Sequence, residues 1–115
     1  MKNALNLLKQ EFITSSGKTE QYLNTHKTWK MEFTDFLSPH CKRIKISKPN
    51  HFDITGFFEM NNGKKYYFSI SDLRWSKDML IREVKDFKDY CGKINHFLDL
   101  DEYFISEIKM MLKIK

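Results

Sequence analysis

The hydrophobic period of this chain changes from about 3.6 residues to two near residue 40, and this change constrains the fold more than any other feature. A first helix over about residues 3 to 13 is predicted by the helical spacing of Leu5, Leu8 and Phe12. A second helix, from about residue 18 to 37, ends at Ser38-Pro39. Its core-facing stripe alternates spacings of four and three: Tyr22, His26, Trp29, Phe33 and Phe36.

Downstream of residue 40, apolar residues alternate with polar ones in three segments, which predicts three strands. The first strand contains Ile44 and Ile46 and presents basic residues on its outer side. The second covers residues 52 to 60 and the third residues 64 to 71. The segments are close enough in sequence to form an antiparallel meander.

The register of the second and third strands follows from parity. A two-residue loop would point their apolar faces in opposite directions, whereas the three-residue loop Asn61-Asn62-Gly63 pairs Phe58 with Tyr66. The same loop pairs Ile54 with Ile70, and we expect Gly63 to adopt a left-handed conformation. Phe57 and Tyr67 then lie on the opposite face, which is either covered by a helix or available to a partner.

Residues 77 to about 91 are predicted to form a helix, with Ser76 as its N-cap and Gly92 as its stop. Its apolar arc contains Leu80, Ile81, Val84, Phe87 and Cys91. The alternative, a strand over residues 79 to 85, would mix charged and apolar residues on both faces, so the helix is favoured.

A short strand over residues 94 to 98 and a C-terminal helix capped by Asp99 or Asp101 complete the prediction. The fold class is α+β: two N-terminal helices, a three-stranded antiparallel β-meander with or without a fourth short strand, and two C-terminal helices. We expect one domain over residues 1 to 115.

Composition excludes several classes of protein. A chain of 115 residues is too short for a two-domain enzyme, and 41% hydrophobic with 15% aromatic residues is too apolar for disorder. Apolar stretches reach four residues at most, so neither a membrane span nor a secretory signal is expected. A cytoplasmic protein with reduced thiols at Cys41 and Cys91, and with no cofactor, is therefore predicted.

The net charge of +5 is concentrated in residues 42 to 77, where eight basic residues oppose three acidic ones. Aromatic residues interleave with them, and this combination is typical of surfaces that bind phosphates and stack on bases. The alternative interpretation of these basic residues is that they protect the edges of strands from aggregation. The candidate binding residues are Lys42, Arg43, Lys45, Lys48, Lys64, Lys65, Tyr67, Arg74, Trp75, Lys77, Arg82 and Lys85.

Catalytic patterns are weak. Asp72 with Glu83-Val84-Lys85 resembles the PD-(D/E)xK nucleases, which would imply a metal-dependent nuclease. No proline precedes Asp72, however, and Glu83 to Lys85 falls in the predicted helix rather than on a strand. Size and charge also resemble RelE-like ribonuclease toxins, although this chain begins with helices. Cys41, Cys91, His40 and His96 lack the close spacing of a zinc site, so we assign no catalytic or metal-binding residue.

The segment Ile70-Ser71-Asp72-Leu73-Arg74-Trp75, then Leu80-Ile81-Arg82, then Asp89-Tyr90-Cys91-Gly92-Lys93-Ile94-Asn95, resembles a pattern in small proteins of phages and conjugative elements of AT-rich Gram-positive bacteria. The resemblance covers about residues 66 to 98 and implies a mobile-element accessory protein in the host cytoplasm. Such proteins include inhibitors of host defence nucleases, among them anti-CRISPR proteins. The implied function is a non-enzymatic inhibitor that binds an effector or its nucleic acid; a small DNA- or RNA-binding regulator is the alternative.

Two roles remain open for Asp72 and Arg74. In the structural role, Asp72 accepts hydrogen bonds from turn amides and Arg74 bridges Asp78 or Glu83. In the functional role, Arg74 and Trp75 anchor an interface, because both residue types are enriched at binding hot spots.

Overall fold

A computed structural model describes residues 1–9, 19–47, 52–75, 77–89 and 94–114. Helices α1 (Lys2–Leu7) and α2 (Glu20–Leu37) come first, and a 3-10 turn over Ser38–His40 leads into the sheet. The strands are β1 (Cys41–Ile46), β2 (Ile54–Met60), β3 (Lys65–Ile70), β4 (Asp78–Val84) and β5 (His96–Asp99), and helix α3 (Phe104–Leu112) follows.

The five strands form one antiparallel sheet whose spatial order, β1-β2-β3-β4-β5, is also the order along the chain. The predicted fold class is therefore wrong. It had three strands with or without a fourth, and two C-terminal helices, whereas the described residues contain five strands and one C-terminal helix.

The error lies in the segment predicted as a helix from residue 77 to 91, which contains β4 instead. Met79 and Ile81 are buried on one side of β4, while Val84 is buried on the other, so apolar residues occupy both faces of this strand. A strand that carries apolar residues on both faces loses the alternation that distinguishes it from a helix. The Ser76 cap and the Gly92 stop lie outside the described residues.

The long helix predicted over about residues 18 to 37 is present as α2. Thr19 caps it by accepting a hydrogen bond from the Tyr22 amide at 3.1 Å. The first helix ends at Leu7, earlier than the predicted residue 13, and residues 10 to 18 lie outside the described ranges.

The predicted hairpin register is confirmed. Phe58 pairs with Tyr66 and Ile54 with Ile70 across β2 and β3. Gly63 has a φ of +91°, which a glycine adopts without strain, and the Asn62 side chain accepts a hydrogen bond from the Lys64 amide.

All three helices pack on one side of the sheet, which we call the inner face. Phe33 of α2 contacts Phe58 of β2, Phe68 of β3 and Phe104 of α3, with ring centroids 5.1 to 6.4 Å apart. The buried hydrophobic residues of α1, α2 and α3 all belong to this core. Consequently, no described helix covers the opposite side of the sheet, the outer face.

None of the described helices has the length and hydropathy needed to cross a bilayer. The helices are instead amphipathic elements that bury one side against the sheet.

Candidate functional site

The outer face is defined by the strand register. Phe57 lies opposite Lys45 on β1 and Tyr67 on β3, and Tyr67 lies opposite Arg82 on β4. Because side chains alternate along a strand, positions two residues away share the same face. The outer face of the described strands therefore carries Arg43, Lys45, Thr55, Phe57, Glu59, Lys65, Tyr67, Ser69, Asp78, Leu80, Arg82, Val84, Phe97 and Asp99.

Three aromatic rings and two guanidinium groups form a continuous line across this face, which we call the outer row. The Arg43 guanidinium carbon lies 4.0 Å from the ring centroid of Phe87, and Phe87 stacks on Phe57 at 5.2 Å. Phe57 contacts Tyr67 at 5.1 Å, and the Arg82 guanidinium carbon lies 4.5 Å from the Tyr67 centroid. Each arginine is thus held over an aromatic ring, an arrangement that fixes the orientation of its charge.

Phe87 reaches the outer row because the chain turns back after β4. The Asp86 side chain accepts a hydrogen bond from the Lys88 amide at 2.8 Å, and the Asp89 side chain accepts one from the Lys85 amide at 3.0 Å. The two carboxylates accept backbone hydrogen bonds that a neighbouring strand would accept within a sheet, and they define a turn. The turn places Phe87 over Phe57, which is only 4% exposed as a result.

The charge of the outer face is uneven. Four cationic side chains lie on it, Arg43, Lys45, Lys65 and Arg82, and Arg43 pairs with Glu59 at 3.1 Å. Asp78 and Asp99 lie opposite each other at the far end of β4 and β5 and form an acidic corner. The basic part of the face therefore covers β1, β3 and the middle of β4.

The sheet brings together five of the predicted binding residues, namely Arg43, Lys45, Lys65, Tyr67 and Arg82. Three others are exposed at its ends: Lys42 at an irregularity of β1, Lys64 before β3, and Lys85 after β4. Lys48 lies outside the described residues. Lys77 has a structural contact, because its ammonium group donates a hydrogen bond to the Leu8 carbonyl at 2.6 Å and connects α1 to the sheet.

Arg74 is not part of the outer row. Its guanidinium donates hydrogen bonds to both carboxylate oxygens of Asp72, the shortest at 2.8 Å. The Asp72 carboxylate also accepts a hydrogen bond from the backbone amide of Arg74. The two side chains are only 12% and 16% exposed. The predicted partner of Arg74 was Asp78 or Glu83, whereas the structure pairs it with Asp72, and the hydrogen bonds that Arg74 donates to Asp72 raise the pKa of Arg74.

The Arg74–Asp72 pair connects the turn after β3 to helix α2. The guanidinium carbon of Arg74 lies 3.6 Å from the ring centroid of Phe52 and 5.6 Å from that of Tyr22. The Tyr22 hydroxyl donates to the Phe52 carbonyl at 2.6 Å, and burial together with the charge of Asp72 raises the Tyr22 pKa well above its usual value. Trp75, which follows Arg74 on the same turn, is 66% exposed.

The nuclease-like residues do not converge. Glu83 to Lys85 begins on strand β4, not on a helix, yet Glu83 pairs with Tyr66 near the start of β3, while Asp72 follows the end of that strand. At about 3.3 Å per residue, four residues of β3 already place them more than about 13 Å apart. The described residues contain no cluster of three or more histidine, cysteine, aspartate or glutamate side chains able to hold a metal ion.

Three outer-face aromatic residues, Phe57, Phe87 and Phe97, were not among the predicted binding residues. The alternation of side chains along the β2–β3 hairpin did predict that Phe57 and Tyr67 lie on the face opposite the core, and this placement is confirmed. Phe87 was assigned to the apolar arc of a helix, so its contact with Phe57 was missed. Phe97 is 64% exposed on β5, and the strand assignment near residues 94 to 98 was the available signal.

No protein-family model, curated protein or solved structure matches this chain. The comparisons thus give no indication of an enzymatic activity, and the outer face is the arrangement from which function is inferred.

Proposed function

We propose that this protein is a non-enzymatic binding protein that binds nucleic acid through the outer face of its sheet. The observation that carries the proposal is the outer row, in which Arg43 and Arg82 are held over the rings of Phe87 and Tyr67 beside Lys45 and Lys65. Cations in this number release counterions from a phosphate backbone, and the exposed ring of Phe97 on the same face adds stacking.

The position of the cations favours binding over edge protection. Lysines that prevent aggregation belong on edge strands, and Lys45 on β1 fits that role. Arg82 and Lys65, however, lie on β4 and β3, which are paired on both sides. Charges in the interior of a sheet face have no edge to protect, so edge protection does not account for these two cations.

Salt dependence tests the proposal. The affinity of the protein for a labelled oligonucleotide of about a dozen nucleotides should be measured by fluorescence anisotropy between about 50 and 200 mM salt. Four phosphate contacts predict a slope of log K against log salt of about −3 for a single strand. Removal of one cation in Arg82→Met should reduce the magnitude of this slope by about 0.7, the contribution of one phosphate contact.

A matched pair of lysine variants locates the contact. Lys45 and Lys27 are both exposed, but Lys45 lies on the outer face and Lys27 on α2. Lys45→Met should weaken binding several-fold, whereas Lys27→Met should leave it unchanged. Equal losses would indicate a nonspecific charge effect, and a flat salt response would eliminate the proposal.

As a second candidate, we propose that the protein inhibits a host defence nuclease, in the manner of an anti-CRISPR protein, by binding its guide RNA. The segment that resembles mobile-element proteins, about residues 66 to 98, contains Tyr67, Arg82 and Phe97 of the outer face. The test is a cleavage assay with a purified RNA-guided effector. Cleavage that continues unchanged in the presence of excess protein would remove this candidate and leave the nucleic-acid proposal intact.

A further inference from the structure

We infer that the ligand of the outer face is a single strand, DNA or RNA, whose bases stack on the face, and not a duplex. This inference rests on the proposed nucleic-acid function and names its substrate class. It follows from three properties of the outer face: the planar groups it presents, the absence of a groove-reading element among the described residues, and the distribution of its charge.

Planar groups are exposed on both edge strands of the sheet. The Arg43 guanidinium carbon lies 4.0 Å from the Phe87 centroid, yet the Arg43 side chain is 56% exposed, so part of this planar group is accessible to a base. Phe97 on β5 pairs with Leu80 on β4, and its ring is 64% exposed. Aromatic and guanidinium planes both stack unpaired bases.

These planar groups span a length suited to several nucleotides. Arg43 and Phe97 lie on β1 and β5, the two edge strands, with Tyr67 and Arg82 between them. Four strand-to-strand spacings separate the edges by about 19 Å. A strand crossing the sheet would therefore meet more than one stacking group, which is how sequence-tolerant single-strand binders gain affinity.

A duplex cannot use these groups. Its bases present only their edges, and reading them requires an α-helix or a β-ribbon that enters a groove. In the part of the chain that the structure describes, all three helices bury their hydrophobic residues on the inner face, so the outer face offers a broad sheet surface without such an element. Only phosphates of a duplex would contact it.

The acidic corner marks one boundary of the proposed nucleic-acid-binding site. Asp78 and Asp99 lie at one end of β4 and β5, while the cations lie over β1, β3 and the middle of β4. Phosphates are repelled from the corner and attracted to the cations. The backbone of the bound strand should therefore lie over the cations, and the exposed Asp99 should reduce affinity; Asp99→Asn is expected to increase it about two- to threefold at low salt.

The experiment compares four probes of equal length on the intact protein: oligo-dT, oligo-U, a DNA duplex, and an abasic DNA strand with the same number of phosphates. We expect both base-containing single strands to bind at least about tenfold more tightly than the abasic strand and the duplex. Duplex or abasic binding as tight as that of oligo-dT would overturn the inference while leaving nucleic-acid binding established. If none of the four probes binds, the proposed function itself fails.

Variants identify the stacking ring. Phe97→Leu keeps an apolar side chain but removes the ring, and it should weaken oligo-dT binding about five- to a hundredfold without affecting the abasic strand. Tyr103→Leu is the matched control, because Tyr103 is an aromatic residue with similar exposure, 59%, beside α3. Equal affinities of Phe97→Leu and Tyr103→Leu for oligo-dT would contradict stacking on Phe97.

Discussion

The guanidinium carbon of Arg74 lies 3.6 Å from the ring centroid of Phe52, and Asp72 holds it there through both carboxylate oxygens. The contact connects the β3–β4 turn to the residues that lead into β2. A planar group is required, because only a guanidinium both stacks on a ring and donates in parallel to a carboxylate.

Arg74→Lys should therefore lower the free energy of unfolding by about 1–3 kcal/mol, since lysine keeps the charge but loses the paired hydrogen bonds. Urea denaturation gives the measurement. Arg43→Lys is the control: its ion pair with Glu59 is comparable in length, but the Arg43 side chain is 56% exposed, and an exposed pair contributes at most about 1 kcal/mol. Similar losses in both variants would contradict the structural role of Arg74.

Gly56→Ala should destabilise the sheet by at least about 1–3 kcal/mol. A Cβ atom at Gly56 would lie 2.5 Å from the Lys45 carbonyl oxygen and 3.0 Å from the Phe68 ring, so β1 or Phe68 has to move. Thermal unfolding checks the effect. Gly63→Ala is a useful comparison, because its Cβ would meet no atom within 4 Å and its cost comes from the backbone conformation alone; a stabilising Gly56→Ala would refute the close contact.

The Cys41 thiol should react slowly at neutral pH. Burial raises its pKa to about 11, and its Sγ lies 3.7 Å from the Met60 sulfur, so the reactive thiolate is scarce. In a Cys91→Ser background, the alkylation rate with iodoacetamide should be well below that of the urea-unfolded chain at pH 7.5 and should increase up to about pH 11. Equal rates for the folded and unfolded chains would contradict this prediction.

The same shift makes stability depend on pH. The folded state favours the neutral thiol, so its contribution is complete below the unfolded pKa near 9 and decreases as pH rises towards 11. The decrease should be absent from Cys41→Ala, when the unfolding free energies of the two proteins are compared across this range.

Phe87→Ala should cost about 1–3 kcal/mol, because it uncovers Phe57 and removes the ring beneath Arg43. Phe97→Ala, which truncates a ring that is 64% exposed, should change stability by less than about 0.5 kcal/mol. Urea midpoints of the two variants give the comparison. If both unfold at the same midpoint, Phe87 does not pack on the outer face as described.

The sequence predicted the β2–β3 hairpin correctly because two independent constraints agreed. Alternation of apolar residues defined the inner faces of both strands, and Gly63 marked the loop length that keeps those faces on the same side. Strand β4 had no such agreement. Leu80, Ile81 and Val84 fit a helical arc, and in the sheet they divide between its two faces.

The candidate site was predictable only in part for a related reason. The face shared by Phe57 and Tyr67 followed from parity within one hairpin. Phe87 joins them through a turn that reverses the chain after β4, and Arg74 turns away from them towards α2. Neither orientation is encoded in residue spacing, since each depends on contacts between separate elements.

The agreement between strand order in space and strand order along the chain has a kinetic consequence. Each strand pairs with a strand that was just completed, so every ladder closes a short loop and carries a small entropic barrier. The contact between Lys77 and Leu8, by contrast, joins residues 69 positions apart. We therefore expect the sheet to form by successive addition of hairpins, with α1 docking after the β3–β4 connection is in place.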